Sequence, residues 1–190
     1  RAWISLDNQL RAAGWKPLQP EVAFAELEVA LPDGTSLKLR GSIDRVDIDR
    51  QGNLRVLDYK SGRSHKYKGL GAADPTKAGK FLQLPVYALA AQREFGDASV
   101  AAYYWFISGS EHGRTIGYEV TPEVLQEALG VIQVAVDGHR HGLFPPRPKG
   151  HSKGYDCPSC QVDGTDRLSK EEFEVLLADP ALDGYRGVIA

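Results

Sequence analysis

Apolar and polar positions along the chain change their period several times, and each change marks an element. Trp3, Leu6, Leu10 and Ala13 recur at helical spacing until Gly14 and Pro17 end the pattern. Glu21 to Leu31 then alternates with a period of two, which puts Leu27, Val29 and Leu31 on one face of a strand. Pro32-Asp33-Gly34-Thr35 is a turn signal, so Ser36 to Asp47 is expected to return as the second arm of a hairpin. In that arm Leu37, Leu39 and Ile43 share one face, and Lys38, Arg40, Ser42 and Asp44 share the other. From Val46 and Ile48 the apolar parity is reversed, which predicts a bulge or bend just beyond Asp44. A tight turn at Gln51-Gly52-Asn53 leads into a third strand, Asn53 to Lys60.

The third strand carries the first sign of chemistry. Its alternation puts Leu54, Val56, Asp58 and Lys60 on one face, so two apolar residues are followed by an acid and an amine. Burying those charges costs several kcal/mol unless they have partners. Asp44 reaches the same neighbourhood if the second and third strands pair. Two acids and a lysine converging at a strand end suit a divalent metal and a phosphate. Asp47 and Asp49 read as solvated, with Asp47 either capping or pairing with Arg45.

Ser61 to Gly79 is polar, glycine-containing and basic, and reads as a mobile loop whose length exceeds ordinary connections. A helix follows from Phe81 to Phe95, with Pro85 in its first turn, where the missing N–H loses nothing. Gln83 and Tyr87 then stand one above the other on one helix face. Ser99 to Ser108 is β-prone and nearly continuously apolar, which predicts a central strand. Its Tyr103, Tyr104, Trp105 and Phe106 read as core rather than as a platform for stacked bases. Thr115 to Val120 reads as a shorter strand, and Thr121-Pro122-Glu123 starts a helix to His139. Pro145 to Tyr155 is irregular, and Ser169-Lys170-Glu171-Glu172 opens a short helix to Ala178. The order implies an α/β (α+β) domain, a central mixed β-sheet flanked by helices. Residues 1–156 form that domain, and 157–190 an appendage with a short helix.

Bulk composition narrows the partners only slightly. A chain of 190 residues suits one domain. No apolar run approaches the roughly 18 residues a membrane span needs. The chain opens on Arg1 and contains no Met, so it reads as a piece of something longer. A net charge of −2 makes no global case for nucleic acid, but the distribution does. Arg63, Lys66, Lys68, Lys77 and Lys80 cluster against one acid, Asp74, and Arg140, Arg147, Lys149 and Lys153 cluster with no acid. The two cysteines, Cys157 and Cys160, make a poor disulfide framework and a better half of a metal site, so a cytoplasmic setting is expected.

The motifs Gly41-Ser-Ile-Asp44-Arg45-Val-Asp47, Val56-Leu-Asp58-Tyr59-Lys60-Ser-Gly62 and Gln83-Leu-Pro-Val-Tyr87 resemble three successive motifs of the RecB/AddB-type nucleases. These belong to the PD-(D/E)XK superfamily, with its restriction-endonuclease-like core. The resemblance is strong over Glu21 to Ala91 and continues more weakly to Cys160. It implies a metal-dependent DNA nuclease, exonucleolytic and working with a helicase domain or subunit in DNA repair or recombination. A catalytically inactive module that binds DNA or a partner on the same fold is the alternative. Asp44 and Asp58 correspond to the metal carboxylates for Mg²⁺ or Mn²⁺, with the backbone carbonyl of Tyr59 as a further ligand. Lys60 corresponds to the residue that orients the attacking water or offsets phosphate charge, and Gln83 and Tyr87 to a helix motif lining the site. Glu28 lies where some relatives carry an extra acidic residue. Arg63, Lys66, Lys68 and Lys80 are the expected DNA contacts. Many relatives end in a four-cysteine iron–sulfur module. Cys157 and Cys160 stand in the right region, but a complete 4Fe-4S cluster is impossible with two cysteines. A residual zinc site using His151, or a vestigial pair, are the remaining readings.

Overall fold

The computed structural model describes residues 2–108, 111–145 and 170–189. Its elements are helix α1 (Ala2–Ala12), strands β1 (Lys16–Ala30), β2 (Ser36–Ile48) and β3 (Leu54–Lys60), and helix α2 (Gln83–Phe95). Strands β4 (Val100–Phe106) and β5 (Thr115–Glu119) follow, then helices α3 (Pro122–Arg140), α4 (Lys170–Leu177) and α5 (Asp183–Ile189). Residue packing divides the chain into Arg1–Gln133 and Val134–Ala190. The boundary expected at 156/157, together with Cys157, Cys160 and His151, lies outside the described residues. Among the described residues no helix is long and apolar enough to cross a membrane.

The sheet runs in the order β1-β2-β3-β4-β5. Only β3 and β4 are parallel, from Leu54↔Val100 to Lys60↔Phe106, and the other neighbours are antiparallel. A parallel pair needs a crossover, and the stretch between Lys60 and Val100, including α2, supplies it. Both strands of the parallel pair are buried on two faces. Leu54, Val56, Leu57 and Asp58 are buried in β3, and Val100, Ala102, Tyr104, Trp105 and Phe106 in β4. Continuous apolar sequence in β4 is what a strand covered on both sides requires. The mixed α/β sheet inferred from the pattern is therefore the observed one.

β1 begins five residues earlier than its alternation suggests. Lys16 to Pro20 pair with Ile48 to Arg45, with a register shift between Pro17 and Gln19. As an edge strand β1 tolerates the two prolines, whose missing amides face no neighbour. Near Asp44, where the parity reversal predicts a bulge or bend, Ile43 and Val46 both pack into the one apolar cluster although three residues apart, whereas strict alternation sends such residues to opposite faces. The register opposite is unshifted from Val22↔Ile43 to Pro20↔Arg45, and Glu21 between them has a φ of +49°. A non-glycine residue in that region costs free energy and locally breaks the ladder.

α2 meets the sheet through Leu84, Ala88 and Ala91, all fully buried and spaced i, i+4, i+7. The alanines let the helix approach closely. Pro85 is its third residue, inside the first turn. The connection from β3 to α2 is pinned rather than loose. A 3-10 turn at Ser64–Tyr67 buries the Tyr67 ring against Phe81, Tyr104 and Phe106. Pro75 and Thr76 are buried, and the Tyr118 hydroxyl donates to the Pro75 carbonyl at 2.6 Å. Lys77 Nζ donates to the carbonyls of Lys66 and Lys68, each at 2.7 Å. Composition marked this stretch as loop correctly, but its buried anchors were hidden among polar neighbours.

Two glycines mark close approaches. A Cβ at Gly117 would stand 2.0 Å from the Ala102 carbonyl oxygen, and one at Gly41 would stand 2.6 Å from the Phe24 ring. Gly117→Ala is expected to cost at least about 3 kcal/mol, because backbone must move. Gly41→Ala is expected to cost nearer about 1 kcal/mol, because a ring can turn aside. Denaturant midpoints of the two variants check the order.

Candidate active site

The core-facing side of β3 ends in Asp58 and Lys60. Asp58 is 4% exposed, and Lys60 Nζ stands 2.5 Å from its Oδ2 in an ion pair. Among the described residues that buried oxygen has no aligned hydrogen-bond donor. Burial pushes the Asp58 carboxyl above its ordinary value. Lys60 pulls it back and the charge of Asp44 raises it further. Two carboxylates facing one ammonium leave a net negative charge in a desolvated place.

Asp44 arrives through a break in strand pairing. The β2–β3 ladder runs from Ile48↔Leu54 to Arg45↔Leu57 and ends there. Beyond it the Tyr59 amide donates to Asp44 Oδ2 at 2.6 Å. The acid thus replaces a backbone acceptor where the strands separate. In an extended strand the carbonyl of a residue points to the same side as its amide, so the Tyr59 carbonyl also faces β2.

Helix α2 closes the other side. Lys60 Nζ donates to Gln83 Oε1 at 3.2 Å, and Gln83 Nε2 donates to the Tyr87 hydroxyl at 3.3 Å. Burial raises the Tyr87 phenol above its ordinary range; the Gln83 hydrogen bond opposes this and the charges of Asp58 and Asp44 add to it. Five residues expected from sequence (Asp44, Asp58, Lys60, Gln83 and Tyr87) are thereby joined by direct contacts or mutual charge effects.

Others lie elsewhere. Glu28 is exposed and sits opposite Lys38. Lys38 and Asp44 are six residues apart on β2, about 20 Å at the usual strand rise. Glu28 is therefore not brought to the carboxylates, because the β1–β2 register carries it along the hairpin. Arg63, Lys66, Lys68 and Lys80 are all exposed on the connection between β3 and α2, and Lys66 Nζ lies 4.9 Å over the Tyr67 ring.

Asp47 is not solvated but fully buried. Arg45 forks it, Nε to Oδ1 at 2.5 Å and Nη2 to Oδ2 at 2.9 Å. The third arm of the guanidinium meets Asp7 Oδ1 of α1 at 2.8 Å, and the same group lies 5.7 Å from the Trp105 ring centroid. The opposite charges two residues apart in a strand hinted at the pair, but not at its burial or at Asp7. Tyr104 was also missed as a site residue. It is fully buried, its hydroxyl lies 3.4 Å from Gln83 Oε1, and its ring lies 4.9 Å from Lys60 Nζ.

The oxygens of Asp44, Asp58 and the Tyr59 backbone suit a hard divalent cation. The raised Asp58 carboxyl, with Asp44 close by and one lysine between two acids, is what such an ion relieves. Among the described residues no three His, Cys, Asp or Glu side chains cluster to hold a metal, so the fit rests on two carboxylates and backbone oxygen.

The sequence matches the PD-(D/E)XK nuclease superfamily over residues 2–165. The chain belongs to that superfamily. Similar proteins include three named as a subunit of an ATP-dependent helicase/deoxyribonuclease. That of Desulforudis audaxviator is 39% identical over 93 residues, 44% of this chain and 8% of the relative. That of Thermoanaerobacter sp. (strain X514) is 32% identical over 117 residues, 55% and 10%. That of Caldanaerobacter subterraneus is 38% identical over 69 residues, 32% and 6%. The chain spans a tenth or less of each of these relatives. Within this PD-(D/E)XK domain, the matched stretch includes every contact of the carboxylate–lysine–glutamine cluster.

The raised carboxyl gives a stability prediction for the metal-free protein. Folded Asp58 holds its proton more tightly than unfolded Asp58, so its ionised form subtracts from stability above the raised value. That subtraction vanishes as pH falls below the ordinary carboxylate range. With chelator present, Asp58→Asn is therefore expected to raise Tm at neutral pH, and the gain to shrink to nothing in acid.

Proposed function

We propose that this chain is the divalent-metal-dependent DNA nuclease domain of a helicase–nuclease that serves DNA repair or recombination. The observation that carries the reading is the buried Asp58 beside Asp44 and Lys60, in a chain of a nuclease superfamily. Asp44, Asp58 and the Tyr59 carbonyl would hold Mg²⁺ or Mn²⁺. When bound, such an ion supplies Lewis acidity and lowers the pKa of a coordinated water. Lys60 is a compact point charge suited to a phosphoryl oxygen or to holding the attacking water. Gln83 steadies that ammonium from α2, and Tyr87 presents a phenol that stays protonated and donates to the DNA strand. Asp44 is held by the Tyr59 amide through Oδ2, and its second oxygen would be left to serve the cation. The exposed Arg63, Lys66, Lys68 and Lys80 give the duplex or strand a cationic approach beside the site. The relatives' shared name supports a helicase partner and DNA as substrate. Exonucleolytic cleavage is the mode we favour, as the resemblance to the RecB/AddB-type nucleases implies.

The purified protein is expected to degrade single- or double-stranded DNA with Mg²⁺ or Mn²⁺ and not with chelator. Asp58→Ala and Lys60→Ala should each lower the rate by about 10²–10³-fold or more. Cleavage that survives Asp58→Ala sinks the proposal, and salt-sensitive binding without cleavage in any divalent metal favours an inactive DNA-binding module instead. The rate should also fall toward acid pH, because Asp58 takes up a proton above the ordinary carboxylate range. Lys66→Ala with Lys68→Ala is expected to weaken DNA binding and to flatten the dependence of log K on log salt by about 1–2, measured by fluorescence anisotropy in Ca²⁺.

A further inference from the structure

We propose that Tyr104 is a positioning residue of this site, resting on the nuclease reading above. Its hydroxyl locks the Gln83 side-chain amide with oxygen toward Lys60 and nitrogen toward Tyr87.

Gln83 is the first residue of α2 and is exposed. A glutamine amide in that position has two orientations of nearly equal shape and opposite polarity. Lys60 is a donor only, so productive contact requires the oxygen to face it. Lys60 and Gln83 both end in solvent-accessible side chains and cannot hold each other rigidly. Tyr104 can, because it is fully buried in β4 with the Tyr67 ring at 4.7 Å and the Phe81 ring at 6.2 Å. Its hydroxyl is fixed in space by that packing. It donates to Gln83 Oε1 at 3.4 Å, the same atom that accepts from Lys60 at 3.2 Å. Two donors on one atom leave Nε2 free only toward Tyr87, where it donates at 3.3 Å.

The donor is permanent. Burial, with the Asp58 charge next, raises the Tyr104 phenol far above its ordinary range, so it never ionises at a working pH. The donor-only Lys60 ammonium decides that Oε1 and not Nε2 faces inward, and the buried hydroxyl, bonded to that same oxygen, holds it in place. The Tyr104 ring adds a second constraint, since Lys60 Nζ lies 4.9 Å from its centroid and is drawn to the ring face.

The test separates ring from hydroxyl. Tyr104→Phe keeps the packing and the ring under Lys60 but removes the donor. It is expected to lower kcat for DNA cleavage about tenfold, the scale of one hydrogen bond, with KM and melting temperature unchanged. Made in a Gln83→Ala background, the same substitution should have no further effect, because the hydroxyl acts only through that amide. The Gln83 side-chain amide protons, assigned by their loss in Gln83→Ala, should exchange faster with solvent in Tyr104→Phe than in the unchanged protein. Full kcat in Tyr104→Phe, or an undiminished tenfold loss in the Gln83→Ala background, overturns the proposal. If the unchanged protein cleaves no DNA, the nuclease reading falls. The amide exchange then decides the Tyr104 role alone: faster exchange upholds the lock, and unchanged exchange overturns it.

Discussion

The bond from the Tyr59 amide to the Asp44 carboxylate is the constraint on which the site depends. An antiparallel ladder that continued past Arg45↔Leu57 would have used that amide for a backbone carbonyl. The strand instead bends, at the point where Ile43 and Val46 are both buried and Glu21 opposite takes a positive φ. A carboxylate fills the place left in the ladder. One interaction therefore satisfies an orphaned donor and aims the first acid. It also sets Asp44 beside Asp58, which sits in the buried half of β3.

Such a pair is unfavourable by itself, and the surrounding structure tolerates it through rigidity. Asp58 is desolvated with a neighbouring negative charge and a single lysine. On the other face of the sheet, the Asp7–Arg45–Asp47 network holds β2 to α1 with every arm of the guanidinium used. A buried ion pair of this kind adds little net stability, yet removing one partner leaves an uncompensated charge. It therefore fixes β2 one residue from Asp44 against the repulsion on the opposite face. The two electrostatic systems share a strand and differ in completeness. The structural one has a second guanidinium, Arg11, donating to Asp7 Oδ2 at 2.8 Å, and the functional one has a single lysine for its two acids.

The connection from β3 to α2 has a double use. Its exposed side carries Arg63, Lys66, Lys68 and Lys80, while Tyr67, Pro75 and Thr76 are buried beneath. Lys77 has left the cationic surface to hold two carbonyls of the same segment. The anchored segment delivers Phe81 and then Gln83 to fixed positions, so the helix face bearing Gln83 and Tyr87 meets Lys60 through Gln83. Polar side chains held on a rigid frame are the arrangement that preorganised electrostatics requires.

Much of this was legible in the residues themselves. Period-two alternation marked β2 and β3, the parity reversal located the bend, and continuous apolar sequence marked β4 as central. The acid and amine following two apolar residues announced Asp58 and Lys60, and i, i+4 spacing put Gln83 and Tyr87 on one face. These are properties of local geometry, and local geometry is written in short windows. Register, depth and partner choice are not. Whether Asp47 met water or Arg45 and Asp7, whether Glu28 lay beside Asp44 or far along the hairpin, and whether Tyr104 was filler or a donor aimed at Gln83 depended on elements distant in sequence. A polar residue reads the same in a window whether solvated or buried. Only the tertiary structure supplies the partner that makes burial affordable.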